Sequence, residues 1–188
     1  MLHTTLNLLK ENYACRDGYR TLCKSLPKDF DKDKKIELSY ILGVCGFEDA
    51  IWSLRATTEN SLQLMRELAL WNAEQVLPIY EGEYPNDSRV RNCIAVTKQY
   101  SRGEASKSEL ESAAADVLAA AAYAVASATY AATTTAYAAA AYVAVLAAPT
   151  VVTAIASAAY AATTAEEVAA ADFRGNQKAK FLEMLEAR

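Results

Sequence analysis

Between Asp116 and Glu166 the chain carries no charged residue. The stretch reads VLAAAAYAVASATYAATTTAYAAAAYVAVLAAPTVVTAIASAAYAATTA, and it limits the possible folds more than any other feature. An uncharged segment this long either crosses a bilayer or packs inside a protein. Length alone would suit a bilayer, as a helical hairpin with Pro149 between its halves. Side-chain chemistry argues the other way. Membrane-spanning helices are built from Leu, Ile, Phe and Val, whereas this stretch is mainly Ala, Thr, Ser and Tyr, with two leucines and one isoleucine. Its flanks are acidic, Asp116 and Glu166–Glu167, where basic clusters would mark a membrane boundary. Tyr123, Tyr130 and Tyr137 recur every seven residues, so on a helix they line one side over about 20 Å. The stretch is therefore expected to be the packed centre of a helical bundle. Pro149 divides it into helices near 108–147 and 150–162, and the three tyrosines are expected to be buried.

The remainder also reads as helix. Val and Ile are sparse, strand-type alternation is absent, and Ala, Leu and Glu abound. The expected fold is all-α with no sheet: one domain over 1–188, a helical bundle with long alanine-rich central helices. Mixed-charge helices fill 1–104, alanine-rich helices 105–171, and an amphipathic C-terminal helix 172–188. Helices are expected over Thr5–Tyr13 and about Asp17–Leu26, then in KKIELSYILGVCG, ending at its glycine, and in FEDAIWSLRA. In ENSLQLMRELALWNAEQVLPIY, Asn60, Gln63, Glu67 and Glu74 form a polar stripe beside an apolar one of Leu62, Met65, Ala69 and Val76. Gly82 and Pro85 break that helix, and Asp87 or Ser88 caps the next. That helix buries Val90, Ile94 and Thr97, shows Arg91, Lys98 and Arg102 along one side, and stops at Gly103. Ser108 and Glu111 match a capping box, and Arg174–Asn176 is an expected interruption in the tail.

Net charge is −4 and the pI about 5.1, which opposes nucleic-acid binding, since phosphates call for a basic face. The N-terminus has no basic region ahead of an apolar run, so a cytoplasmic location is expected. Cys15, Cys23, Cys45 and Cys93 are irregularly spaced and read as reduced, small, buried hydrophobes. The single histidine, His3, sits at a terminus expected to fray, which leaves no metal-binding or nucleophile–base set. Phosphate loops, nucleophile elbows and zinc-protease motifs are missing. Glu81/Glu83 lie in a turn and Glu166/Glu167 near a helix start, where acids suit the helix dipole. No catalytic residue and no cofactor is expected.

The central segment, LPIYEGEYPNDSRVRNCIAVTKQYSRGE, resembles the Imm-5-like family of small bacterial and phage immunity proteins. Pro78, Tyr80–Glu81, Pro85, Asp87, Arg89, Arg91, Tyr100 and Gly103 carry the resemblance. The patches ACRDGY (Ala14–Tyr19) and FEDAIWSLRA (Phe47–Ala56) look like the family's other two. Relatives scatter arginines and aspartates through the alanine-rich part, and this chain has none there. The resemblance implies a helical protein that binds and neutralises another protein, such as a toxin effector, without catalysis. A phage-encoded inhibitor of a host-defence protein and a membrane-inserting hairpin are the alternatives.

Glu81, Asp87, Arg89 and Arg91, with Tyr84 beside them, are the foremost candidate group. They serve either as a charged binding edge or as an internal clamp, in which arginine forks pair with nearby carboxylates. The clamp is the favoured reading, with about 1–3 kcal/mol expected per arginine. CRDG at Cys15–Gly18, with Arg16 and Asp17, and Arg55 after Trp52 are the other candidates for such internal pairing.

Overall fold

Thr5 opens the first helix. Its backbone is extended and its hydroxyl accepts from the Leu8 N–H at 3.1 Å, satisfying a donor that a helix start leaves over. The computed structural model describes residues 1–113, 115–116 and 167–188. In it α1 is Leu6–Glu11, α2 Arg16–Ser25, α3 Leu38–Val44, α4 Phe47–Ser53, α5 Leu62–Glu83 and α6 Arg89–Ser101. A helix α7 covers 107–113, and α8 is Glu167–Glu186. The protein is mostly all-α.

The expectation of no sheet needs one correction. β1 (His3–Thr4) pairs antiparallel with β2 (Ile36–Glu37), His3 opposite Glu37 and Thr4 opposite Ile36. Two-residue strands are too short to leave a period in the sequence. Backbone partners make this ribbon: Leu38 N–H donates to Leu2 O at 3.1 Å, and Thr58 N–H to His3 O at 2.8 Å. The buried Thr4 hydroxyl donates to Ala56 O. The N-terminus is therefore held on two sides rather than frayed.

Glu59 staples it. Its carboxylate accepts from the His3 N–H at 2.8 Å and from Lys35 Nζ at 2.9 Å, and lies 3.1 Å from His3 Nδ1. Burial pushes this carboxyl up, but donation from Lys35, His3 and Thr58 outweighs it and holds the group well below the usual carboxylate range. A depressed folded-state pKa contributes stability above the unfolded-chain value of roughly 4.3, and that stability is lost as pH falls. Stability should therefore drop more steeply in the wild-type chain than in Glu59→Gln between about pH 5 and pH 2. Parallel pH profiles from urea denaturation would remove the staple from the account.

The chain divides into two compact units. One is Met1–Met65 with Lys178–Arg188, the other Arg66–Gln177. In the first, Leu2, Leu6, Leu9, Leu22, Leu38, Ile41, Ile51 and Leu54 are buried. Phe181 is fully buried and meets Phe47 edge-on, with ring centroids 5.9 Å apart. In the second, Leu68, Ala73, Val90, Cys93, Ile94 and Leu110 are buried, and Thr97 is too, its hydroxyl donating to Cys93 O at 2.7 Å.

Several boundaries shift. On α5 the buried positions are Leu64, Met65, Leu68, Asn72 and Ala73, while Leu62 is 46% exposed. Leu62 is the helix's first residue, outside the row set by 61, 65, 68 and 72. Ala69 and Val76 lie outside the described side chains. Gly82 does not stop α5, which runs to Glu83 just ahead of Pro85. The capping box is Ser106/Glu109: Glu109 N–H donates to Ser106 Oγ at 3.2 Å, and Ser106 N–H to Glu109 Oε2 at 2.7 Å. Starting the helix there makes Leu110 its fourth residue, where it is buried beside the half-buried Ala105 before the cap. Helix α8 passes through Gly175 without a break. An interior glycine costs only about 1 kcal/mol, and Gln177, Phe181 and Leu185, four residues apart, are all buried.

Among the described residues no helix is long and apolar enough to cross a membrane. Tyr123, Tyr130, Tyr137 and Pro149 lie outside the described residues.

Candidate functional site

Cys15 caps α2. Its sulfur accepts from the Gly18 N–H at 3.2 Å, and its S–H reaches Asp49 Oδ1 at 3.4 Å. The two N-terminal patches singled out in the sequence thus meet, through Cys15 and Gly18 of the first and Asp49 of the second. A β-carbon on Gly18 would lie 2.5 Å from both Asp49 oxygens. Glycine stands there because a carboxylate occupies the place of a side chain. Cys45 joins from α3, its thiol 3.7 Å from Gly18 O. Burial, then the nearby Asp49 and Cys15, push that thiol up to about 11, so it stays protonated. Behind these groups lies a small cavity of about 20 Å³, room for one water-sized group. Leu9, Leu22 and Ile41 form its apolar wall, Tyr19 and Trp52 its aromatic wall, and Cys45, Asp49 and Ser53 its polar side.

The Gly18–Asp49 packing has a signed consequence. Gly18→Ala should destabilise the wild-type chain by about 1–2 kcal/mol, because the methyl evicts the carboxylate. In an Asp49→Ala background the obstacle is gone, and the same change should stabilise by about 0.5–1 kcal/mol through helix propensity. A denaturation cycle reads both; equal effects in the two backgrounds would show that Asp49 is not what excludes the methyl.

Arg16 and Asp17 are exposed in the first turn of α2. Asp17 lies 3.9 Å from Arg20, and Arg16 has no ion-pair partner among the described residues. Among the described residues Arg55 pairs with no carboxylate: its guanidinium lies over the Trp52 ring, 4.9 Å from the centroid, a cation–π contact. Three of the four cysteines depart from the expected burial, since Cys15 is exposed and Cys23 and Cys45 are half-buried.

The central motif sits where α5 turns into α6. Arg89 grips Asp87, with Nε 2.9 Å from Oδ1 and Nη2 2.5 Å from Oδ2. Asp87 also accepts from the Arg89 N–H at 3.1 Å, so Asp87 caps α6, and Ser88 makes no side-chain cap bond. Tyr84 is half-buried, and its carbonyl accepts from the Asp87 N–H at 3.0 Å. Arg91 pairs with Glu81 in a two-pronged contact, 2.6 and 2.5 Å. Lys98 pairs with Glu74. The acids are seven apart on α5 and the bases seven apart on α6, in opposite order, which makes an antiparallel ladder. These four charged candidates therefore pair with each other. The Arg91 side chain is 64% exposed, so that pair is worth about 0.2–1 kcal/mol, less than first expected. Arg89 and Asp87 are better shielded.

The sequence model of the family described as Imm-5 like putative immunity protein matches residues 56–183. The chain belongs to this family. The Imm-5-like match contains the α5–α6 corner and begins at Ala56, after the Cys15–Gly18–Asp49 lock. No curated protein and no solved structure matches the chain.

One residue was marked only as the expected end of the first helix, which stops two residues earlier at Glu11. Tyr13 follows α1 with φ +63° and is 90% exposed. Ala14 N–H donates to Leu9 O at 2.9 Å and Tyr13 N–H to Lys10 O at 3.1 Å. This bond pair closes a helix whose next residue is left-handed, a place that ordinarily holds glycine. Nothing in a sequence pattern announces a tyrosine there.

Proposed function

We propose that this Imm-5-like chain neutralises a protein effector by binding it, with no chemistry of its own. Tyr13 carries the reading. A left-handed backbone costs an L-residue about 1–2 kcal/mol, and a ring exposed at 90% recovers none of it by packing. Strain kept at an exposed aromatic points to a use outside the folded chain. Tyrosine is among the residues that concentrate binding energy at protein interfaces. The ion-paired corner of α5 and α6 acts as scaffold.

Two measurements test this. Tyr13→Gly should raise the melting temperature by roughly 2–4 °C, the scale for about 1 kcal/mol in a chain of this length. In cells making a toxin domain encoded at the same locus, the wild-type chain should restore growth and Tyr13→Gly should not. A wild-type chain that gives no protection rejects the proposal. Full protection by Tyr13→Gly rejects Tyr13 as the contact.

A further inference from the structure

We propose that the cavity behind Gly18 receives the ammonium tip of a lysine from the partner protein, with the Asp49 carboxylate as its counter-charge; this rests on the immunity reading above. The half-buried acids Glu59, Glu74, Glu81 and Asp87 each hold a lysine or arginine. Asp49 is half-buried too, yet among the described residues only the Cys15 thiol donates to its carboxylate and no cation pairs with it. Asp49 lies in the first turn of α4, and Cys15 links it to the Gly18 N–H in the first turn of α2. A fixed carboxylate facing a cavity with no cation of its own is a receptor for one.

Size and lining narrow the ligand. Room for one water-sized group suits –NH3+ and excludes the planar guanidinium, which carries three nitrogens. Tyr19 and Trp52 offer aromatic surface to a cation. Cys45, protonated, adds no competing charge.

The test uses the full chain and small probes, read by backbone amide shifts of Gly18, Asp49 and Ser53. n-Propylammonium should give saturable shifts, and 1-propanol and guanidinium should bind at least about tenfold more weakly, the loss of one useful charge contact. Asp49→Asn, isosteric and uncharged, should weaken n-propylammonium by a similar factor without lowering the melting temperature. Equal responses to 1-propanol, or undiminished binding by Asp49→Asn, overturn the proposal. Should Asp49→Asn misfold, the ranking of the three probes on the wild-type chain decides alone. A free diamine, 1,4-diaminobutane, should bind no more than a few-fold better than n-propylammonium; affinity about a hundredfold greater would assign the cavity to a free amine and overturn the partner-lysine assignment. In the protection assay Asp49→Asn should fail. Protection retained by Asp49→Asn rejects the partner lysine and leaves the immunity reading intact, whereas a wild-type chain that never protects removes that reading whatever the probes show.

Discussion

Phe181→Ala should destabilise the protein by about 3–5 kcal/mol, the range for truncating a buried phenylalanine. The ring is fully buried and packs edge-on against Phe47 at an interplanar angle of 80°. Truncation loses the transfer energy of the ring and leaves a cavity that its neighbours fill only in part. Phe181→Leu should cost much less, under about 1.5 kcal/mol for the change of shape and about 0.5–1.5 kcal/mol for the lost aromatic pair. Urea denaturation of Phe47→Ala, Phe181→Ala and the double variant isolates that pair term. A Phe181→Ala loss below about 1 kcal/mol would mean the C-terminal segment is not part of the first unit's core.

Phe181 also shows what a sequence can convey. Position 181 was expected on an amphipathic tail helix, and it is buried there. The break expected at Arg174–Asn176 is absent, because burial along one face outweighs the propensity cost of a single glycine. Helix ends were legible where one residue type enforces them: the stop at Gly103 with φ +76°, and Pro85 just beyond α5. They were ambiguous where two patterns overlap. SKSELES contains S-x-x-E twice, and only the burial of Leu110 selects the first.

The site divides in the same way. The Asp87–Arg89 and Glu81–Arg91 pairs were legible because arginines close in sequence to carboxylates across a turn have few other places to go. The Gly18–Asp49 contact was not, since it joins residues far apart in the chain through a space left by a missing side chain. One hint was available: a glycine in the first turn of a helix, where no left-handed backbone is needed, signals close approach. Tyr13 offered no hint, because its conformation follows from how α1 ends and α2 begins.

Asn72 and Gln177 should show the second large effect, a loss on single replacement that double replacement largely recovers. Both are fully buried in the second unit. Gln177 Nε2 donates to Asn72 Oδ1 at 2.5 Å, and Asn72 Nδ2 donates to Leu68 O at 2.8 Å. Among the described residues, Gln177 Oε1 has no hydrogen-bond partner. Such a pair specifies how α5 meets α8 more than it stabilises the contact, since desolvating two amides consumes most of what the bonds return. Asn72→Ala should therefore cost about 2–4 kcal/mol, from the cavity and from a Gln177 amide left wholly unpaired. Gln177→Met removes the orphaned oxygen but strands Asn72 Oδ1, and should cost about 1–2 kcal/mol. Asn72→Leu with Gln177→Met replaces both amides by apolar groups of similar length. That double variant should recover most of the loss, within about 1 kcal/mol of wild type or above it. Denaturation of the four species gives the coupling directly. Losses that simply add would show that the amides do not act as a pair, and the register of α8 on α5 would then rest on apolar packing alone.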